Sequence, residues 1–491
     1  ELAAYLAESK KEEIKAMIST VSPVKLKSKE ASIVKESQSK EVTIETDKPE
    51  DNAVKAMPFD ENEIAIVGLA GRYPKAQDLE EFWDNLFQGM NCVTEIPKER
   101  WDYKKYFDAN KDTKGKSYSK WGGFLQDVDK FDAAFFHIAP REAEKMDPQE
   151  RIFLETAYSA IEDAGYKKED VKGKKIGVFV GVMYNNYQLL ALDQYQKDGE
   201  TAVNTSFSAI ANRVSYFFDF HGESMAIDTM CSSSITALYS AFQSMKCGDI
   251  EGAIVGGVNL SLHYMKYLAL SNGNFMSSDG RCKAFGANGD GYVPGEGVGA
   301  IYLKTLKKAL EDGDHVYGLV KSVALNHGGH TNGFTVPNPN AQAEVIKEAW
   351  RKAKIDPRTI TCIEAHGTGT SLGDPIEITG LSKAFMEYTD ELGFCSIGSV
   401  KSNIGHLESA AGMAGITKVL LEMKHQILVP SIHSTELNPF LSLEESPFYV
   451  QQQPEEWKHY IEQRNGKEVV HPLRAGISAF GAGGSNAHVV I

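Results

Sequence analysis

A cysteine and two histidines stand in this sequence where α/β enzymes place reactive side chains: Cys231, His366 and His406. Met225–Thr229 reads as a short apolar strand that runs through Met230 into Cys231-Ser232-Ser233-Ser234, after which Ile235, Leu238, Phe242 and Met245 recur on one helical face. A cysteine at such a strand-to-helix turn meets unpaired amides and the positive end of the helix dipole. Both favour the thiolate, and the turn presents the side chain outward. The same local pattern also suits a buried structural cysteine ahead of a serine-rich cap. His366 opens His-Gly-Thr-Gly-Thr after the strand Thr361–Ala365, and His406 closes Lys-Ser-Asn-Ile-Gly-His, which begins at Lys401 after a strand ending at Val400. Each imidazole alone reads more readily as structural. One sulfur and two imidazoles at strand ends together suit covalent acyl chemistry with proton donors or acceptors at hand.

Other chemistries fit less well. Asp374 and Glu377 are the only carboxylates near His366 in sequence and no ligand-spaced cluster forms, so no metal site is expected; His327 and His330 lack a third ligand and read as structural. The glycine-rich stretches Gly286–Gly299 and Gly481–Gly484 lack the Gly-Lys-Ser/Thr ending of a phosphate loop, and Gly68/Gly71 lack dinucleotide spacing, so nucleotide binding is not expected. Gly481–Gly484 suits either a tight turn or a loop that offers amides to a developing oxyanion. Asn204-Thr205-Ser206 matches a glycosylation sequon, with nothing else pointing to secretion.

The chain around these residues is ordinary globular material, 42% hydrophobic and 24% charged. Its 67 acidic against 52 basic side chains give a net charge of −15, which disfavours nucleic acid or an anionic membrane as a partner. The sequence holds no apolar run long enough to cross a membrane and no apolar signal core at the start, so a cytoplasmic protein is expected. Its 6 cysteines are scattered without Cys-x-x-Cys spacing, which argues against a disulfide framework or a zinc site. No glycine precedes Gly68, and residues 20–58 are rich in Lys, Glu, Ser and Thr with little to bury, so a linker is expected there after a short amphipathic helix. From Ile64 onward strand-like and helix-like segments alternate, the pattern of an α/β architecture. Pro148–Ala164 reads as a helix stopped by Gly165, and Gly412–Lys424 as a helix with Ile416, Val419, Leu420 and Met423 on one side.

In this order, DTMCSSS (Asp228–Ser234), HGTGT and KSNIGH resemble the β-ketoacyl synthase family. The stretches IAIVGLAGRYP, MDPQERIFLE, DGRCKAFGANGDGYVPGEGVGAI and GISAFGAGGSNAHVVI do so as well, and the resemblance runs from about Glu63 to Ile491. It implies a thiolase-like α/β fold of two related halves, about 61–310 and 311–491, in layered α-β-α-β-α order, and a homodimer. The longer stretches, with HTNGFTVPNPNAQ, are similar to a ketosynthase of a modular type I polyketide synthase whose acyltransferase acts in trans. On that resemblance residues 1–20 are the last helix of an upstream carrier domain, and 21–60 are a flexible linker. Cys231 accepts the acyl chain, and His366 and His406 promote decarboxylation of a malonyl group on a downstream carrier, with Lys401 supporting the electrostatics. The amides of Cys231 and Ala482 form the oxyanion hole, Thr368 and Thr370 hold the phosphopantetheine arm, and Met230, Asn403 and Phe480 contact substrate. The domain binds no cofactor of its own; its substrates ride on the phosphopantetheine of acyl carrier proteins.

Ala482 departs from the Gly-Phe-Gly-Gly gating loop of many relatives, which implies a less obstructed pocket suited to bulky chains, with Met230 on its wall. Rival readings meet specific objections. A degradative thiolase needs a second cysteine near its end, and none follows Cys395; a synthase that starts from acyl-CoA usually carries asparagine at the place of His406. A ketosynthase that only transfers or gates the chain typically loses the histidine of HGTGT, and a non-catalytic partner lacks the cysteine, whereas His366 and Cys231 are both present.

Overall fold

The computed structural model describes residues 63–199, 203 and 205–491; the expected carrier helix, the linker and Asn204 of the sequon lie outside the described residues. A first six-stranded sheet is built from β1 (Ile64–Arg72), β2 (Ile176–Gly181), β3 (Ser224–Ile227), β4 (Gly252–Asn259), β5 (Gly297–Thr305) and β6 (Gly318–Val320), in the order β3-β2-β4-β5-β1-β6. A second is built from β7 (Ser322–His327), β8 (Cys362–Glu364), β9 (Cys395–Gly398), β10 (Phe448–Val450), β11 (Ala475–Phe480) and β12 (Ser485–Val490), in the order β10-β9-β8-β11-β12-β7.

With the edge strands β6 and β10 set aside, both sheets read third, second, fourth, fifth, first in order of appearance. In both, the first three of that row run parallel and the last two antiparallel to their neighbours. A topology repeated in two stretches without a visible sequence copy is the two-half, thiolase-like architecture. β6, beyond residue 310, hydrogen-bonds to β1 and so completes the edge of the first sheet.

The principal helices are α1 (Pro148–Asp163), α2 (Phe207–Phe218), α3 (Ser233–Cys247), α4 (Pro339–Ala353), α5 (Gly373–Phe385) and α6 (Ala411–His425). α1 starts where Asp147 caps the Gln149 amide and Pro148 takes the first turn, and it stops at Gly165, whose φ of +81° an L side chain would resist. α1 and α2 cover the outer face of the first sheet, α4 and α5 that of the second, and α3 and α6 are clamped between the sheets. α3 buries Ile235, Leu238, Phe242 and Met245 as the periodicity predicts, each worth about 1.5–3 kcal/mol of transfer free energy.

α6 differs from expectation. The sequence suggests one apolar side, yet every residue from Ala411 to Glu422 is buried, because this helix has protein on all sides. Its small residues are what permit the approach: a Cβ at Gly412 would lie 2.5 Å from Ile235 Cγ1 of α3. No helix among the described residues is long and apolar enough to cross a membrane.

Candidate active site

β3 delivers Cys231 through a turn held by hydroxyls. Met230 adopts φ +59°, a left-handed conformation uncommon for a side chain of its size, and donates its amide to Asp228 Oδ1 at 2.9 Å. Ser233 Oγ accepts the Thr229 amide at 2.9 Å and donates to the Met230 carbonyl at 2.5 Å, while Ser232 Oγ donates to the Thr229 carbonyl at 2.8 Å. The serines after Cys231 therefore brace the turn. Gly481 approaches the same turn so closely that a Cβ there would lie 2.5 Å from the Thr229 carbonyl, and this contact sets the Ala482 amide against the Cys231 sulfur.

His366 leaves the end of β8 in a loop pinned by two buried carboxylates. Glu377 accepts the amides of His366 and Gly367 at 2.7 and 2.8 Å, and Asp374 accepts those of Gly369 and Phe285 at 3.2 and 2.8 Å. Burial pushes Glu377 up to about 7 and Asp374 up to about 6 against these stabilising bonds. Both carboxylates are thus loop clamps, and no metal-holding cluster of three or more His, Cys, Asp or Glu exists among the described residues. His327, read as structural, donates from Nε2 to the Gly483 carbonyl at 2.9 Å and anchors the glycine loop; its Nδ1 takes the Gly329 amide.

His406 is pinned by its backbone to 293–295, its amide donating to the Val293 carbonyl at 2.7 Å and its carbonyl accepting from Gly295 at 2.8 Å. The two imidazole centroids lie 5.4 Å apart at 83°. Each ring has a backbone amide aimed at Nδ1, from Phe480 onto His366 at 3.3 Å and from Glu408 onto His406 at 3.0 Å. An Nδ1 that accepts leaves the ring proton on Nε2. Burial first, and the nearby Lys401 charge second, hold both rings well below the usual histidine range. Two neutral Nε2–H donors result.

Lys401 is buried; no carboxylate of the described residues pairs with it directly, but its charge acts on both imidazoles, Cys231, Asp374 and Glu377. Phe480 sits with its ring centroid 5.8 Å from that of His366, and Met230 is 37% exposed beside Cys231. Thr368 and Thr370 are half-buried; Thr370 Oγ1 accepts the Gly373 amide at 3.0 Å and keeps its proton to donate. Asn403 is not brought to this cluster. It is 1% exposed, donates to the Met90 carbonyl at 3.2 Å and accepts from Ser402 Oγ, so it secures the loop beneath His406.

The acidity of Cys231 runs opposite to expectation. Burial, reinforced by the negative charge of Glu408, pushes the thiol up to about 12, and the amides of Ala482 and Cys231 and the charge of Lys401 only soften the rise. A dipole effect confined to one helix end does not match the loss of water around the sulfur. Alkylation of Cys231 by iodoacetamide is therefore expected to quicken about tenfold per pH unit from pH 7 to 9, read by intact mass, since only the thiolate reacts. A plateau reached by pH 7 would restore the activated-thiolate reading.

Sequence reasoning passed over Glu408, Lys266, Tyr184 and Tyr292. Tyr292 meets the His406 ring edge-on at 4.9 Å, and Tyr184 lies close enough for the Cys231 and Glu408 charges to act on it. The one local signal was an acidic residue two positions beyond His406.

A cysteine at a strand-to-helix turn and paired imidazoles between two duplicated α/β halves are the arrangement of a condensing acyltransferase. The chain belongs to the β-ketoacyl synthase family: residues 61–309 match its N-terminal domain and 317–435 its C-terminal domain. It is 60% identical over 436 residues to polyketide synthase PksL of Bacillus subtilis strain 168 and 56% identical over 429 residues to polyketide synthase ThaG of Burkholderia thailandensis. Each match covers 87% of this chain but only 10% and 8% of those proteins, so the chain spans about a tenth of the length of these two relatives. The oxazolomycin ketosynthase domain OzmH KS7 of Streptomyces albus JA3453 superimposes with a TM-score of 0.85 at 52% identity, over 87% of this chain and 75% of that one. The ketosynthase from module 6 of the bacillaene synthase of Bacillus subtilis 168 gives 0.79 at 43% identity, over 87% and 71%. The chain is a ketosynthase domain of the polyketide synthase type.

Proposed function

We propose that this domain elongates a polyketide chain by acyl transfer followed by decarboxylative condensation. The Cys231 sulfur attacks the thioester of an upstream carrier, the oxyanion is met by the amides of Cys231 and Ala482, and the carrier thiol leaves with the proton. A malonyl group then arrives on the phosphopantetheine arm of a downstream carrier, held by Thr368 and Thr370. Nε2–H of His366 and of His406 donate to its thioester carbonyl. The carboxylate departs as carbon dioxide, its bonding electrons form the enolate, and the enolate carbon attacks the Cys231 thioester, releasing the sulfur and leaving a β-ketoacyl chain on the downstream carrier.

The observation that carries this reading is the pair of Nε2–H donors, since an enolate oxygen needs hydrogen bonds and a neutral imidazole supplies one without surrendering its proton. The polyketide synthases PksL and ThaG support a polyketide line, the resemblance of HTNGFTVPNPNAQ supports one whose acyltransferase acts in trans, and Ala482 with exposed Met230 supports a wide acyl pocket. A homodimer through the edge of β3 is supported by Met225, 40% exposed, and by Tyr216 on the neighbouring α2, 82% exposed.

Incubation with an acyl thioester is expected to add one acyl mass to the protein, and Cys231→Ala is expected to abolish the adduct. Malonyl carrier added to the acylated protein should release carbon dioxide and lengthen the chain by two carbons. An adduct without carbon dioxide would leave a chain-transferring ketosynthase, and no adduct would leave a scaffold.

A further inference from the structure

Beneath His406 lies a charged pair that the acyl chemistry above does not use. Lys266 and Glu408 pair directly, and both side chains are wholly buried. Glu408 Oε2 also accepts from Asn259 Nδ2 at 3.0 Å and Oε1 from the Tyr292 hydroxyl at 3.2 Å. Lys266 Nζ reaches Asn259 Oδ1 at 3.5 Å and lies 4.3 Å above the Tyr184 ring. Packing does not require this arrangement, because an apolar pair of equal volume would serve a core as well or better.

What the network does hold is a strained backbone. Glu408 adopts φ +50°, a left-handed conformation that costs an L residue free energy and persists only where its surroundings impose it. Its amide is the one that donates to His406 Nδ1 at 3.0 Å. The ring is further confined by Tyr292, which contacts it edge-on while its hydroxyl is tied to the same carboxylate.

We propose that Lys266 and Glu408 are positioning residues for His406: their buried pair fixes the Glu408 backbone so that its amide occupies Nδ1 and the ring keeps its proton on Nε2, toward the acyl site. This rests on the elongation reading above. The charges facing His406 are Lys266, Lys401 and Glu408, with His366 as the neighbouring titratable ring. With Lys266 in place the Glu408 charge is balanced, and His406 stays neutral.

Lys266→Met keeps the length of the side chain and removes its charge. Acylation of Cys231 is expected to stay within about threefold of the unaltered protein, while carbon dioxide release from malonyl carrier falls about 50-fold, a fraction of what a proton-donating group supplies. The loss should deepen as pH falls, because one of the cations that oppose protonation of His406 is gone. In a His406→Ala background the same change should cost no more than about twofold, since a residue acting through an absent ring has nothing left to lose. Equal losses in both half-reactions, or losses that multiply with His406→Ala, would overturn the proposal. Tyr292→Phe, which removes one bond to Glu408 and keeps the ring, decides the matter if Lys266→Met does not fold: about a fivefold loss confined to carbon dioxide release supports it, and an unchanged or uniform effect overturns it. An unaltered protein that acylates without releasing carbon dioxide sinks the elongation reading instead, and that result precedes any variant.

Discussion

Replacing His406 with alanine is expected to slow malonyl decarboxylation and condensation by about 10²–10³ while leaving acylation of Cys231 within about threefold. The separation of the two effects is the informative part. On the proposed reaction, acylation develops its charge on the chain thioester, which the amides of Cys231 and Ala482 would face, whereas decarboxylation develops it on the malonyl thioester oxygen. Burial and Lys401 keep His406 neutral, so on the proposed reaction it would lower that second barrier as a hydrogen-bond donor, with no change of its own ionisation. Glutamine, whose amide reaches about as far as Nε2–H, should restore about tenfold of the loss, which a charge-based role would not permit. Carbon dioxide release from malonyl carrier and intact-mass acylation measure the two steps separately. A uniform fall in both would show that the ring supports the fold and not the enolate.

Much of this site was legible because its parts lie in short, local segments. The strand before Cys231, the helix after it and the histidine after β8 each announce themselves within about ten residues and stand where the local pattern puts them, whereas His406 follows a helical turn at Lys401–Ile404 beyond the end of β9. What sequence could not show depends on residues brought together from far apart. Lys266 follows β4, Glu408 precedes α6, and only the stacking of the two halves makes them a pair. The acidity of Cys231 was misjudged for the same reason, since a helix end is visible locally while the burial that outweighs it is not. Asn403 lies in a motif whose neighbours face the site, but its own side chain turns to the Met90 loop, a contact across hundreds of positions. α6 reads as amphipathic because Lys418 and Glu422 interrupt its apolar pattern, yet both are buried.

Those two charges are the subject of a further expected result: Lys418→Met should destabilise the domain by about 3–5 kcal/mol at pH 8. Lys418 Nζ lies 2.7 Å from Glu364 Oε2 and 3.8 Å from Glu422 Oε1, with all three side chains nearly inaccessible. Removing the cation strands two carboxylates without water, a cost that packing of the methionine does not offset. The sign of the pH dependence follows from Glu422, which burial already raises to about 7 from an ordinary 4.5. A carboxyl raised on folding takes up a proton between those values, so its contribution is present below about 4.5 and lost as pH rises through about 7. Without Lys418 nothing opposes the rise at Glu422, and the deficit measured by urea unfolding should shrink markedly from pH 8 to 5.5. A deficit independent of pH would mean that lost packing, not stranded charge, is responsible. The consequence reaches the site, because Glu364 Oε1 accepts the Val400 amide at 2.9 Å, one residue before Lys401, while Glu364 itself lies two residues before His366. Glu364, held by that cation, therefore ties the end of β8, two residues before His366, to the start of the Lys401–His406 segment.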